Sequence, residues 1–275
     1  MDTNAIVEHM RRRLADSPLL QNPFPHLAIE NLFPEDFYRE LLLNFPAQPP
    51  SDGDTSGNDL VSAAMLEAMS PRQRELWTAV VHDIYPRFIN NLTAYFKNRI
   101  EQRVDELVAL GFFSKKPMFI DSRLDGGDYS FQLLERTEQF MISPHFHTPN
   151  ECVSVLHYFP ADDSSSFAGT ELYEISHPLN VSFANSAYPG VSPRSVRATK
   201  TVPYLPNLAL IWVSDFYAVH GRSRTTNMPV RRYIFSTQSF NQTYVHQNKT
   251  LNVKIEATNG AAPPPRWRIS DLWRA

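Results

Sequence analysis

Ser143-Pro144-His145-Phe146-His147-Thr148-Pro149-Asn150-Glu151-Cys152, continued by the apolar run Val153-Ser154-Val155-Leu156-His157-Tyr158-Phe159, is the stretch that organises this chain. Side chains on an extended segment alternate faces, so His145 and His147 point to the same side and are placed to share one metal ion. A third imidazole, His220, follows 75 residues after His145, where the apolar strand Leu208-Ala209-Leu210-Ile211-Trp212-Val213 has ended in a turn-like Ser214-Asp215. A pair of ligands on one strand and a distant histidine on another form a three-point facial site, which leaves the opposite face of a metal open to substrate and oxygen.

The chain on either side of this stretch has two characters. Toward the N-terminus the spacing is helical. Residues 4 to 16 have helical composition, with Arg11-Arg12-Arg13 making most of one face polar, and read as a surface helix. Leu27 and Ile29 alternate as a short strand, Pro34 stands at a first helical position, and Phe37, Leu41 and Phe45 recur until Pro46 stops the helix. Ser70-Pro71-Arg72-Gln73 has the form of a capping box. Pro86 is expected to interrupt the helix that starts there, and Ile89, Leu92, Phe96, Ile100, Val104 and Leu107 continue with a 3.6-residue period as a second one. Residues 46 to 59, rich in Pro, Ser, Asp and Gly, read as a flexible loop or a flap over a site.

From Pro117 onward short strands take over, at 117–124, 129–142, 152–159, 170–175, 181–186, 198–204, 208–213 and 229–237. Many short strands after a helical start point to an α+β protein with a double-stranded β-helix (jelly-roll, cupin-like) core and N-terminal helices packed on one sheet, rather than to a βαβ fold. The expected organisation is a single domain over 1–275: a mainly helical segment over 1–115, the jelly-roll core over 116–245 and a tail over 246–275. Trp267 and Trp273 in that tail are expected to pack on the domain or on a second copy of the chain, which leaves a homodimer open.

Composition narrows the class. A net charge of -3 with 20% charged residues gives no reason to invoke nucleic acid or an acidic membrane. One cysteine, Cys152, rules out an intrachain disulfide. The start lacks a signal-peptide pattern, and no apolar run approaches a membrane span, so a cytoplasmic protein is expected.

Taken in order, Pro144-His145-Phe146-His147-Thr148-Pro149, Gly169-Thr170-Glu171-Leu172-Tyr173, His220-Gly221 and Arg232-Tyr233 resemble the 2-oxoglutarate/iron(II) oxygenase superfamily in its prolyl-hydroxylase-like and phytanoyl-like bacterial branches. The opening Pro23-Phe24-Pro25-His26-Leu27-Ala28-Ile29-Glu30-Asn31-Leu32-Phe33-Pro34-Glu35 is similar to the first strand and helix of that branch, and the likeness spans most of residues 23 to 240. One departure matters most: His147 stands where the family has an aspartate.

The resemblance implies Fe(II) held by His145, His147 and His220, with 2-oxoglutarate as co-substrate, O2 and a small molecule as reaction partners, and a C–H bond oxidised, by hydroxylation, while the oxo acid becomes succinate. An amino acid or a specialised metabolite would be the substrate. His147 either ligates as a third, neutral imidazole, stands beside a two-histidine site, or marks lost iron binding. A bulky imidazole fills the position that a halide would need, which sets a halogenase aside as a minor alternative. The far carboxylate of the oxo acid would meet an arginine fork. Arg232 matches by its R-Y context, Arg231 competes because adjacent strand residues face opposite ways, and Arg224 is a weaker third choice. Tyr158 is similar to the position that helps to hold the co-substrate, or is a core tyrosine. Glu171 as a substitute carboxylate ligand is the remaining option. Two other classes stay open: a three-histidine oxygenase that needs no oxo acid, and a binding protein with a degenerate site.

Overall fold

The computed structural model describes residues 1–46, 61, 63–120, 123–124, 127–136, 142–183, 188–222, 230–245 and 250–258. The loop read at 46–59, apart from residue 46, and the tryptophans of the tail lie outside these residues, as does Arg224.

Six α-helices are described: α1 (Thr3–Asp16), α2 (Glu35–Leu43), α3 (Ala63–Ala68), α4 (Pro71–Ala79), α5 (Tyr85–Tyr95) and α6 (Lys97–Ala109). The Asp2 side chain caps α1 by accepting from the N–H groups of Asn4 and Ala5, and Ile6, Val7, Met10 and Leu14 form a buried stripe. The helix read as a surface element is therefore half core: its basic triplet shares the helix with a stripe that packs toward α5. Ser70 and Gln73 form the expected capping box on α4. Pro86 does not break the chain as expected. A π-helical segment, Val80–Ile84, widens the last turn and sets Pro86 in the first turn of α5, where a missing N–H costs little. The stripe Ile89, Leu92, Phe96, Ile100, Val104 and Leu107 is wholly buried, with a break between helices at Phe96.

Among the described residues thirteen strands occur: β1 (His26–Ile29), β2 (Phe119–Ile120), β3 (Arg123–Leu124), β4 (Asp128–Arg136), β5 (Ile142–His145), β6 (Glu151–Tyr158), β7 (Thr170–Ile175), β8 (Leu179–Phe183), β9 (Val196–Val202), β10 (Ala209–Val213), β11 (His220–Arg222), β12 (Arg231–Ser239) and β13 (Leu251–Ile255). A five-stranded sheet runs β1-β10-β6-β12-β4 and a four-stranded one β5-β11-β7-β9, all antiparallel. The segment read as a tail begins with a strand, since β13 pairs with β8.

Alternation along the strands decides what each face meets. On β6, His157 faces the helices, accepting from or donating to Tyr85 and packing on Phe33, while Ser154 and Tyr158 face the other sheet. On β12, Gln238 meets Thr93 of α5 and Phe235 meets His147. The helices thus cover the outer face of the larger sheet, and the inner faces of the two sheets enclose the histidines. No helix among the described residues is long and apolar enough to cross a membrane.

Candidate metal centre

His145 ends β5, His147 lies two residues on in the turn before β6, and His220 opens β11. The β5–β11 pairing sets His220 directly opposite His145. Gly221 permits this: a Cβ there would stand 2.8 Å from the Ile142 carbonyl oxygen, so any other residue would force β5 away from β11. The three rings are buried, at 8%, 6% and 4% exposure, with centroids 5.7 Å apart for His145–His147, 4.4 Å for His145–His220 and 4.7 Å for His147–His220. One nitrogen from each ring lies within 4.8 Å of one from each of the others.

Hydrogen bonds identify those nitrogens. His145 Nδ1 donates to the Ser143 carbonyl at 2.9 Å and His220 Nδ1 to the Ala218 carbonyl at 3.0 Å. A carbonyl only accepts, so both rings carry their proton on Nδ1 and hold a bare lone pair on Nε2. His147 Nδ1 lies 2.7 Å from Glu151 Oε2, 3.0 Å from Ser154 Oγ and 3.4 Å from Ser214 Oγ. A carboxylate so near requires a proton on that nitrogen as well. The Glu151 contact is short but bent, and Ser154 takes the straighter line from the ring. All three Nε2 lone pairs are left to converge.

Electrostatics keep the His145 and His220 rings neutral. Burial, with His147 next in importance, pushes the His145 imidazole down to about 4, and burial with His145 and His147 takes His220 well below its usual range. Burial would raise the Glu151 carboxyl. The nearby His147 ring and hydrogen bonds from His147, Tyr188 and Thr148 outweigh it and hold the group below its usual value. Three imidazole nitrogens are a donor set for iron, zinc, copper or nickel rather than for magnesium or calcium, so the residues fit a transition metal. Among the described residues this is the only group of three or more His, Cys, Asp or Glu side chains close enough to hold an ion. Glu171, the alternative carboxylate, is outside it and accepts instead from the Tyr173 hydroxyl at 2.5 Å.

Aromatic rings wall the site. Trp212 packs against His147 and His220, and Phe235 meets His147 edge-on. Tyr188 stacks on His147 with centroids 4.9 Å apart, brought there by the segment whose Pro189 and Val191 bond the backbone of Phe146 and Pro144.

The two arginines at the start of β12 face opposite ways. Arg232 turns away from the histidines: its Nε binds Glu135 at 2.7 Å and its guanidinium lies over Phe45. Arg231 shares with Phe235 the inward side of β12 and is buried at 7% exposure. Tyr158 is on the inward side of β6 and donates to Thr170 across the space between the sheets at 2.6 Å. The sequence reading missed Glu151, Ser154 and Ser214, and also Arg222, which is buried on β11 two residues after His220 and donates to the carbonyls of Phe167 and Gly169. Their signals were faint: an acid four residues after His147, and an arginine at the same alternation as His220.

No family model matches the chain, and no curated protein sequence matches it. Among solved structures it is similar to a prolyl-4-hydroxylase of Pseudomonas putida, at 9% identity over 90% of this chain and 95% of that one, with a TM-score of 0.36. It is also similar to a prolyl hydroxylase from Trichoplax adhaerens, solved with a peptide fragment of the hypoxia inducible factor oxygen degradation domain, at 11% identity over 87% of this chain and 91% of that one, again with a TM-score of 0.36. At such scores the site rests on its own geometry.

Proposed function

We propose that this protein is a mononuclear non-haem iron oxygenase that uses 2-oxoglutarate to oxidise, by hydroxylation, a C–H bond of a small molecule such as an amino acid or specialised metabolite. The observation that carries this reading is the convergence of three buried Nε2 lone pairs, each ring fixed through its Nδ1. Strand order supports a jelly-roll core within one domain over 1–275: from β4 to β12 the chain steps repeatedly between the larger and the smaller sheet.

His145, His147 and His220 would hold the iron. Bound there, it would supply the oxygen chemistry that side chains lack. The chain's own contribution is to keep the three rings oriented and to keep water out with Trp212 and Phe235. Arg231 is the residue to hold the far carboxylate of the oxo acid. Burial lowers the Arg222 guanidinium and the charge of Arg231 lowers it further, while Glu171 raises it, so Arg231 and Arg222 lie within electrostatic reach of each other. Tyr158 stands on the same inner face.

Succinate release from 2-oxoglutarate under Fe(II) tests the reading. Wild type and Arg232→Ala should produce it, and Arg231→Ala should not at moderate oxo-acid concentration. A second reading, a three-histidine oxygenase independent of 2-oxoglutarate, draws on the lack of a carboxylate in the cluster. Oxygen consumption with no oxo acid present, unchanged by Arg231→Ala, would favour that second reading over the first.

A further inference from the structure

In a facial site with one carboxylate ligand, a negative charge sits on the metal itself. Here all three ligands are imidazoles, and the compensating charge lies one residue further out. Glu151 is at 7% exposure, too deep to be kept there without partners. One of its oxygens accepts from Thr148 Oγ1 at 3.3 Å, and Oε2 lies 2.7 Å from His147 Nδ1. A local turn, closed by Glu151 N–H on the Thr148 carbonyl at 3.0 Å, folds the carboxylate back behind His147. His145 and His220 have backbone carbonyls in the corresponding place. The one imidazole with an anion behind it is the one where the resembling family has an anionic ligand.

We propose that Glu151 is the positioning residue of this centre. From 2.7 Å behind His147 Nδ1 its charge keeps the ring's proton on that nitrogen, which Ser154 takes on the straighter line, so that Nε2 is left toward the other two imidazoles; and it returns to the metal, through the ring, the negative charge that a carboxylate ligand would place on it directly. The inference rests on the reading of the three histidines as a metal centre. Its physical basis is general: a carboxylate beside the remote nitrogen of a coordinating histidine favours the tautomer protonated there and raises the basicity of the ligating nitrogen. Ser154, bonded both to His147 and to Ser214 at 3.0 Å, holds the ring against rotation but is neutral and cannot supply the charge.

The test uses Co(II) as the probe, read by equilibrium affinity and by its visible absorption, in two backgrounds. With His147 present, Glu151→Gln should weaken Co(II) binding by about 10- to 100-fold and shift the absorption bands. In the His147→Asp background, where a carboxylate ligates directly, Glu151→Gln should change affinity by less than about threefold, because the ring that transmits its effect is gone. An equal loss in both backgrounds would show a merely structural role and overturn the inference. Wild-type affinity and spectrum in Glu151→Gln would overturn it too. If Glu151→Gln fails to fold, Glu151→Asp, which withdraws the charge by one methylene, is compared in the same way: loss confined to the His147 background supports the inference and equal loss in both refutes it. His145→Ala separates the two layers. If it leaves Co(II) binding intact, the metal-centre reading fails; if it abolishes binding while Glu151→Gln does nothing, only the role of Glu151 fails.

Discussion

Buried histidines of two kinds surround β6 and its neighbours. His157, on the helix side, has both nitrogens engaged: Nδ1 with the Tyr85 hydroxyl at 3.0 Å and Nε2 with Asn207 Oδ1 at 3.1 Å. His26 is likewise bonded at both ends, to the Phe24 carbonyl and to Lys200. Among the described residues His145, His147 and His220 are bonded only at Nδ1, and the three rings converge on one another. All five rings are buried. Burial therefore does not distinguish a site histidine from a core histidine; the use of the second nitrogen does. A ring bonded at both ends is a structural cross-link, and a ring bonded at one end is oriented for a ligand.

The comparison is sharpened most by exchanging the two kinds of loss. His157→Ala leaves the Tyr85 hydroxyl and Asn207 amide without their buried partner, so it should lower stability by about 1–3 kcal/mol while the metal stoichiometry stays at the wild-type value. Denaturant midpoints and metal content of the same preparation check this. Loss of metal together with unchanged stability would invert the assignment.

A smaller effect is expected with pH in the metal-free protein. Burial pushes His157 down to about 3 and His26 down to about 4 from an ordinary 6.5. As pH falls below 6.5 the unfolded chain takes up protons first. The stability these rings contribute is complete above 6.5 and is lost as pH falls through 4 and then 3. Glu106 has the opposite sign: burial lifts its carboxyl to about 7 from 4.5, so its contribution is complete below 4.5 and is lost as pH rises through 7. Thermal midpoints should show Glu106→Gln gaining on wild type between pH 5 and pH 8. A parallel pair of curves would contradict the direction of that shift.

The smallest effect belongs to Arg232. Its ion pair with Glu135 is part-exposed, with the arginine side chain at 43% exposure, so Arg232→Ala should cost at most about 1 kcal/mol. A loss of several kcal/mol in a melting experiment would show that its stacking on Phe45 carries more than the ion pair.

How much of the molecule is legible in its sequence follows from the same physics. His145, His147 and His220 are legible because an alternate pair on an extended segment and a lone histidine after an apolar strand survive without knowledge of strand ends. The helical stripe through Leu92 and Val104 is legible because its period is long and unbroken. The facing of Arg231 and Arg232 is not. On β12 nearly every residue from Tyr233 to Gln238 is buried, since helices cover one face and the other sheet covers the second. The polar–apolar alternation that would reveal the inward side is therefore absent, and one residue of slip exchanges the two arginines. β11 is three residues long, too short to carry a pattern, and β13 is hidden in a segment that reads as tail. Glu151 escapes because its importance comes from a turn that folds it back on His147, and no periodicity records that contact.

The most direct test of the central claim is the Fe(II) content of anaerobically loaded protein, measured for wild type, His145→Ala and His220→Ala beside His157→Ala. The expected result is about one iron per chain in wild type and in His157→Ala, and none retained in the other two, with all four proteins folded. Equal iron in wild type and in His145→Ala and His220→Ala, or iron lost only from His157→Ala, would contradict it.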